Sequence, residues 1–304
     1  MTVVLIDVAL AALLLVVIAR ARTAVRQPRT RIAWLAALVG AVALLTQGTV
    51  VPLPLMDGLL GGTNILKLVQ NVLTMVALWL GIQAGTAPLT ARVRTLRWGL
   101  PASLAAVFAA VFFVALPERG TSSFRFIEDA VVTSTGAWVY GVVHMAGIAG
   151  LGVLLCTSAS RSLPGVRPWF RAGAIGIVLG CVSEIVDLTL TRFFAPNAVV
   201  SALFDPLFYL GVLAFVIGIL RSSRVSTLIR RRGETLLDDL RTVARTRGVA
   251  EAAAGGGTDG RLHALRVAVE DRAIATSTPL DAGERGLLDA VDLHLTRDLP
   301  GVRP

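Results

Sequence analysis

Apolar side chains dominate seven stretches of the first 220 residues, and each stretch is long enough to cross a bilayer. The hydrocarbon core is about 30 Å thick, which a helix of about 17 to 25 apolar residues spans. The stretches are Val3–Ala19, Ile32–Val51, Asn64–Gln83, Trp98–Leu116, Thr133–Ser158, Ala172–Leu190 and Ala202–Leu220. The pattern therefore predicts an all-α fold, with a seven-helix transmembrane bundle as a domain over residues 1–220.

The pattern changes after Leu220, where charged residues become frequent and apolar residues recur at helical spacing. An apolar stripe predicts a helix over 221–248 that continues the seventh stretch. The stripe consists of Val225, Ile229, Leu236, Leu240 and Val243. Three glycines, Gly255 to Gly257, then make 252–260 a flexible linker.

Two short helices are predicted after this linker, at Leu262–Ala275 and Pro279–Arg297. Thr278 is the expected N-cap of the second helix, because Pro279 suits a first helical position and Asp281 completes a pattern like a capping box. We expect both helices to fold back on the apolar stripe as an intrachain bundle, since Gly233 interrupts the stripe and disfavours a coiled coil between two chains. Residues 221–304 are thus predicted to be a helical cytoplasmic tail with one exposed face available to a cytoplasmic protein.

Arginines mark alternate loops between the apolar stretches, sixteen in one set and three in the other. The sixteen are Arg20, Arg22, Arg26, Arg29, Arg31, Arg92, Arg94, Arg97, Arg161, Arg167, Arg171, Arg221, Arg224, Arg230, Arg231 and Arg232, and the three are Arg119, Arg125 and Arg192. Because cytoplasmic loops retain basic residues during insertion, the N-terminus is predicted outside and the C-terminus inside.

Composition agrees with a chain that lies in lipid: 55% of its residues are hydrophobic, 16% are charged, and its mean hydropathy is +0.73. Lys67 is the only lysine among 29 basic residues, a bias that suits a GC-rich bacterial genome and a multi-pass protein of the bacterial cytoplasmic (inner) membrane. The net charge of +9 does not indicate nucleic acid, because the arginines lie between the apolar stretches. The predicted partners are the bilayer and, for the arginines of 221–232, anionic headgroups of the inner leaflet.

Nine polar side chains in the outer halves of the stretches form the candidate ligand-binding or ion-coupling site. They are Lys67, Gln70, Asn71, Tyr140, His144, Glu184, Asp187, Asp205 and Tyr209. Lys67, Gln70 and Asn71 share one helical face, and Glu184 and Asp187 share another. A charge at a span's centre costs about 2.5 kcal/mol or more, so these groups are expected to face the bundle interior.

Two interpretations of this cluster stay open. In one, a polar cavity open to the extracytoplasmic side binds a small ligand, and Lys67 and Glu184 or Asp187 neutralise one another or the ligand. In the other, Lys67 and Glu184 form a structural ion pair, and Asp205 only caps its helix.

The sequence carries no catalytic motif, and we expect no catalytic residue, cofactor or metal. Two cysteines and three histidines offer little for a metal site, and neither HExxH nor GxSxG occurs. The seventh stretch also lacks the lysine that a retinal Schiff base requires.

The arginine-rich inner loops and the run from Leu228 to Arg232 resemble a family of uncharacterised actinobacterial seven-span membrane proteins, usually labelled as candidate transporters. The segment from Arg261 to Asp271 is similar to the basic-then-acidic helix in that family's C-terminal cytoplasmic domain of unknown function. The resemblance implies a membrane protein with a helical tail and assigns no residue a role.

Three functions fit these features. The first is a receptor-like or regulatory membrane protein that binds a small ligand and signals to its tail, since Gly173, Gly176 and Gly180 favour tight packing on the inner side of the sixth stretch. The second is a secondary transporter, proton-coupled through Glu184 or Asp187, although the pattern offers no broken inner half-helix. The third is a scaffold for a cytoplasmic partner.

Overall fold

The structure, a computed structural model, describes residues 2–26, 28–85, 91–116, 119–159, 165–249 and 257–296. All regular secondary structure in these ranges is helical, which confirms the all-α prediction. The helices are α1 (Thr2–Arg26), α2 (Pro28–Leu45), α3 (Leu53–Gly58), α4 (Ile65–Gly85), α5 (Ala91–Ala115), α6 (Phe126–Val131), α7 (Thr135–Ala159), α8 (Arg167–Phe193), α9 (Ala198–Ser201), α10 (Phe204–Thr246), α11 (Thr258–Ala275) and α12 (Ala282–Thr296).

Five helical stretches in the described ranges are long and apolar enough to cross a membrane, which indicates a membrane protein. They are Thr2–Val25, Ile65–Ala84, Thr135–Ala159, Arg167–Phe193 and Ala198–Thr246. Two shorter apolar helices, Thr30–Leu45 and Gly99–Ala115, coincide with the second and fourth predicted spans. The count of seven spans and the orientation of the termini stay predictions.

The second predicted span is shorter than its apolar stretch, because α2 ends at Leu45 rather than Val51. The chain turns directly after it, and Gly48 adopts φ +87°, a conformation that glycine takes without steric cost. The short helix α3 and a glycine-containing loop then lead to α4.

The chain divides into two compact units, Met1–Leu220 and Arg221–Pro304. In the first unit, α2 packs between α1 and α4, and α7 packs against α4, α5 and α8. Its core includes fully buried Met75, Phe108, Phe112, Tyr140 and Ile177.

Glycines bring α8 and α10 into backbone contact. A Cβ added at Gly176 would lie 2.9 Å from the Cα of Gly211, and one added at Gly173 would lie 2.8 Å from the carbonyl oxygen of Gly211. Gly180 approaches the backbone of Phe208 in the same way, at 3.0 Å. The close contact predicted for these small residues is therefore present, and the partner helix is α10.

The second unit is a bundle of three helical segments: the part of α10 after Leu220, α11 and α12. Leu236 and Leu240 share its core with Val269 and Leu288, which confirms the predicted intrachain bundle. Gly233 allows His294 to pack closely against α10, because a Cβ at position 233 would lie 2.8 Å from Nε2 of His294.

The ends of the tail helices differ from the prediction. Helix α11 begins at Thr258, so 258–260 are helical rather than linker, while Gly255 and Gly256 lie outside the described residues. Helix α12 begins at Ala282, three residues after Pro279, and Arg297 lies outside the described residues.

A reciprocal pair of hydrogen bonds sets the start of α12. The Glu284 amide donates to Oδ1 of Asp281 at 2.7 Å, and the Asp281 amide donates to Oε2 of Glu284 at 2.9 Å. Asp281 is therefore the N-cap in a capping box, and Thr278 is not.

Arg247, which directly follows α10, stabilises this cap. Its Nε donates to Oε1 of Glu284 at 2.7 Å, and its Nη atoms donate to the carbonyl oxygens of Thr278 and Pro279, each at 3.1 Å. The hydrogen bond from Arg247 holds the pKa of Glu284 below its usual range.

We predict that Gly211→Ala destabilises the first unit by about 1–3 kcal/mol, because its Cβ would lie 2.8 Å from the backbone nitrogen of Ile177. The matched control is Gly150→Ala in α7, where an added Cβ has no neighbour within 4 Å and helix propensity favours alanine. Thermal unfolding of the purified chain in nanodiscs measures both. Equal melting temperatures for the two variants would contradict the backbone contact.

We predict that Glu284→Gln loosens the start of α12 by about 0.5–1.5 kcal/mol, because the amide can still accept the Asp281 N–H but no longer forms a charge-assisted hydrogen bond with Arg247. Because the folded-state pKa of Glu284 is lowered, its contribution is present above the unfolded value of about 4.3 and is lost as pH falls through the folded value. Hydrogen exchange at neutral pH should be faster in α12 of the variant, and the difference should vanish in acid. Glu234→Gln is the control, since Glu234 is exposed and lies 3.9 Å from Arg230 in a surface pair; an equal effect there would contradict the role of the cap.

Candidate functional site

A cavity of about 360 Å³ lies in the first unit, among α1, α2, α4, α7, α8 and α10. Its volume falls in the range of about 300–1,000 Å³ that small-molecule sites occupy. One end of the cavity is polar, at the starts of α4, α7 and α10 and near the end of α8.

The structure brings eight of the nine predicted site residues to this cavity. They are Lys67, Gln70, Asn71, Tyr140, His144, Glu184, Asp205 and Tyr209. Antiparallel packing explains the grouping, since the end of α8 and the start of α10 lie at the same end of the bundle.

Asp187 does not line the cavity. Its Oδ1 accepts a hydrogen bond from the Ser201 hydroxyl at 2.5 Å, which joins α8 to the short helix α9. Asp187 lies nearly one turn beyond Glu184, where α9 supplies that donor.

The structural ion pair between Lys67 and Glu184, one of the two interpretations of the sequence, is absent. Within the described ranges, no carboxylate oxygen lies within 4.0 Å of Nζ of Lys67, which instead lies 5.6 Å from the ring centroid of Phe124. This arrangement is a cation–π contact. Lys67 and Glu184 thus face one cavity without a direct ion pair.

Aromatic rings and an amide hold His144 in place. Asn71 donates from Nδ2 to the Tyr140 hydroxyl at 2.7 Å, and the Tyr140 ring lies parallel to that of His144 at 6.4 Å. Phe108 meets the same imidazole edge-on at 5.4 Å. His144 is 8% exposed, and its Nε2 has no hydrogen-bond partner in the part of the chain that the structure describes. A buried polar atom left without a partner costs about 1–3 kcal/mol, so this nitrogen marks a position that suits a polar ligand group.

The sequence prediction missed four polar residues at this end, Thr2, Gln47, Arg125 and Glu128. The Thr2 hydroxyl donates to Asp205, which joins the starts of α1 and α10. Glu128 and Arg125 line the cavity from the region of α6 and pair with each other at 3.0 Å. The loop that contains them carries no long apolar stretch, so hydropathy gave no reason to place it on the bundle; adjacent Glu128 and Asp129 were the available signal.

A buried carboxylate fixes the approach to α4. Asp57 is fully buried and accepts hydrogen bonds from the Leu66 amide at 2.8 Å, the Asn64 amide at 2.7 Å and the Ser122 hydroxyl at 2.5 Å. Asn64, at φ +59°, donates from Nδ2 to the carbonyl oxygen of Arg119 at 2.6 Å. These hydrogen bonds connect the segment before α4 to the loop before α6. They also fix the start of α4, where Lys67 directly follows Leu66.

Burial of Asp57 opposes its ionisation, but its hydrogen bonds outweigh that effect. The Ser122 hydroxyl and the amides of Leu66 and Asn64 together hold the pKa of Asp57 below its usual range. The ionised carboxylate is therefore the stable form in this loop.

No group of three or more His, Cys, Asp or Glu side chains in the described residues could hold a metal ion. Comparisons with protein-family models, curated proteins and solved structures found no match to the chain. The resemblance to the actinobacterial family stays a prediction, and the function must be inferred from the cavity.

We predict that Asp57→Asn lowers stability by roughly 1–3 kcal/mol at neutral pH, because the amide satisfies fewer of the three donors. The lowered pKa gives the sign: the carboxylate contributes above its unfolded value of about 3.9, and its contribution disappears as pH falls through the folded value. Thermal unfolding at several pH values should show the two proteins converging in acid. The control is Asp129→Asn, an exposed carboxylate, which should change stability by less than about 0.5 kcal/mol; a gap for Asp57→Asn that persists in acid would contradict this role.

Proposed function

We propose that the protein is a receptor-like or regulatory seven-span protein of a bacterial cytoplasmic membrane, and that it binds a small ligand at the polar end of its cavity. One observation carries the proposal: Lys67 and Glu184 face the same space without a direct ion pair. A purely structural pair would be expected to close to hydrogen-bond distance, because separated charges in a low-dielectric interior are costly. A ligand between them supplies the missing neutralisation.

The polar ligand group has a third contact available at His144. Its Nε2 is buried and has no partner among the described residues, while Asn71 and the rings of Tyr140 and Phe108 fix the imidazole. Preorganised polar groups on helices limit the entropy lost on binding.

Helix α10 supports a regulatory role, because it contributes to the cavity and to the tail bundle. Asp205 and Tyr209 line the cavity, and Leu236 and Leu240 belong to the core of the second unit. A ligand that favours one position of α10 would thereby bias the tail, which is the differential interaction that a ligand switch requires.

The proposed orientation places the polar end of the cavity outside and the tail in the cytoplasm, following the bias of sixteen arginines against three. Five arginines at the start of the tail would then lie near the inner leaflet and interact with anionic headgroups, each by about 1 kcal/mol. They are Arg221, Arg224, Arg230, Arg231 and Arg232. A cytoplasmic protein bound to the tail would receive the signal.

The first test is a thermal-shift screen of small zwitterionic and charged compounds on the full chain in nanodiscs. A compound at 100 times its Kd should stabilise the parent by about 2.7 kcal/mol. Glu184→Gln and Lys67→Gln should abolish the shift, whereas Asp187→Asn, one turn away and outside the cavity, should retain it. An equal loss in Asp187→Asn would contradict the site.

Two further readouts separate the receptor from the alternatives. Bound ligand should change hydrogen exchange in α11 and α12, and proteoliposomes should show no solute flux. Flux that Glu184→Gln abolishes would instead establish the secondary transporter, and a tail that is unchanged by ligand would contradict the regulatory role.

A further inference from the structure

The cavity changes character along its length. On α10 the lining begins with Asp205 and Tyr209 and continues with Val212, Phe215 and Ile219. From Asp205 to Ile219 the helix rises by about 21 Å at 1.5 Å per residue. A volume of about 360 Å³ over that length makes a narrow tunnel rather than a round chamber.

The neighbouring helices repeat the same order. On α4, Lys67 and Asn71 are followed by Ala77 and Leu78. Thr74 lies between these pairs, and its hydroxyl donates a hydrogen bond to the Gln70 carbonyl oxygen at 3.0 Å. The far end therefore offers a ligand no unsatisfied polar group from this helix.

The walls at the far end are apolar on the other helices as well. Leu13 of α1, Ala37 and Gly40 of α2, Ile148 of α7 and Ile177 of α8 contribute there. Such walls do not stabilise water, so an apolar group is the fitting occupant.

The polar end carries both signs of charge. Three carboxylates, Glu128, Glu184 and Asp205, face the cavity with two bases, Lys67 and Arg125. Glu128 and Arg125 already pair with each other. Lys67 is therefore available to an anionic group of a ligand, and Glu184 and Asp205 are available to a cationic group.

We propose that the ligand is a single-chain amphiphile with a zwitterionic headgroup, an inference that rests on the proposed ligand-binding function. Its anionic group meets Lys67, its ammonium meets Glu184 and Asp205, and its hydrocarbon chain lies in the apolar tunnel. A fatty acid would leave the carboxylates uncompensated, and a two-chain lipid is too wide for the tunnel.

The test uses the full chain extracted with polymer into native nanodiscs, because detergents are themselves single-chain amphiphiles. Three probes are compared: decanoyl lysophosphatidylethanolamine, whose chain matches the apolar length from Val212 to Ile219, glycerophosphoethanolamine as the headgroup without the chain, and decanoate as the chain with an anionic head. The lysolipid should bind the parent about tenfold or more tightly than either of the others, as measured by thermal shift. Equal binding of the chainless headgroup compound would overturn the amphiphile while leaving the proposed function intact.

Variants of the tunnel give an independent result. Ala77→Phe fills the apolar part and should weaken lysolipid binding by about tenfold. Ala84→Phe, the same substitution at an exposed position of α4, should leave binding unchanged and reports any effect of the lysolipid on the nanodisc itself. Equal binding by the two variants would overturn the proposal.

A smaller substitution at the same position, Ala77→Leu, provides the test if Ala77→Phe does not fold. Ala77→Leu should shift the preference from decanoyl to hexanoyl lysophosphatidylethanolamine, because it shortens the tunnel. An unchanged chain-length preference would overturn the amphiphile. Absence of lysolipid binding to the parent and to every variant would also overturn the amphiphile. The screen of small compounds would then test the proposed function separately.

Discussion

Backbone contact between α8 and α10 is the constraint on which the membrane unit depends. Lipid offers helices no hydrophobic drive to associate, so van der Waals packing and close approach must supply it. Gly173 and Gly176 meet Gly211 with no side chain between the helices. Phe215 of α10 lies beside this contact and also reaches α4, where a Cβ added at Gly81 would lie 2.8 Å from its ring. The cavity lies between these three helices and α1, α2 and α7.

Electrostatics then explains why polar groups gather at one end. Each ionised side chain in a low-dielectric medium needs a partner or access to water. Asp205 has Thr2, Glu128 has Arg125, and Asp57 has a full set of donors in the adjoining loop. Within the described residues Lys67 has the face of Phe124 and Glu184 has no ion pair, so these two groups are the ones suited to a ligand.

Helical periodicity was sufficient to predict the long helices, the tail bundle and eight polar residues around the cavity, but not the short helices α3, α6 and α9. It could group Lys67, Asn71 and Glu184 because spacing fixes the face of a helix, and alternation of direction fixes which ends coincide. It failed for Asp187, which shares a face with Glu184, because α9 is too short for hydropathy to reveal and its Ser201 provides the donor.

The remaining misses share a physical cause, since they depend on contacts distant in sequence or on competing local caps. Asp57 follows no periodicity, and its role requires Ser122 from another loop. The start of α12 was ambiguous, because Thr278 with Pro279 and Asp281 with Glu284 are both start signals. The hydrogen bond from Arg247 and the reciprocal hydrogen bonds between Asp281 and Glu284 make Asp281 the N-cap.

The hydrogen bond between Thr2 and Asp205 joins residues 203 positions apart, at the first and last helices of the membrane unit. During synthesis the polar end of the cavity therefore stays incomplete until α10 has been inserted and has docked on α8. A ligand for this cavity would bind finished molecules and not their precursors, so by mass action it would stabilise the completed chain alone. The abundance of the folded protein in its membrane would then rise with the supply of its ligand, with no change in transcription.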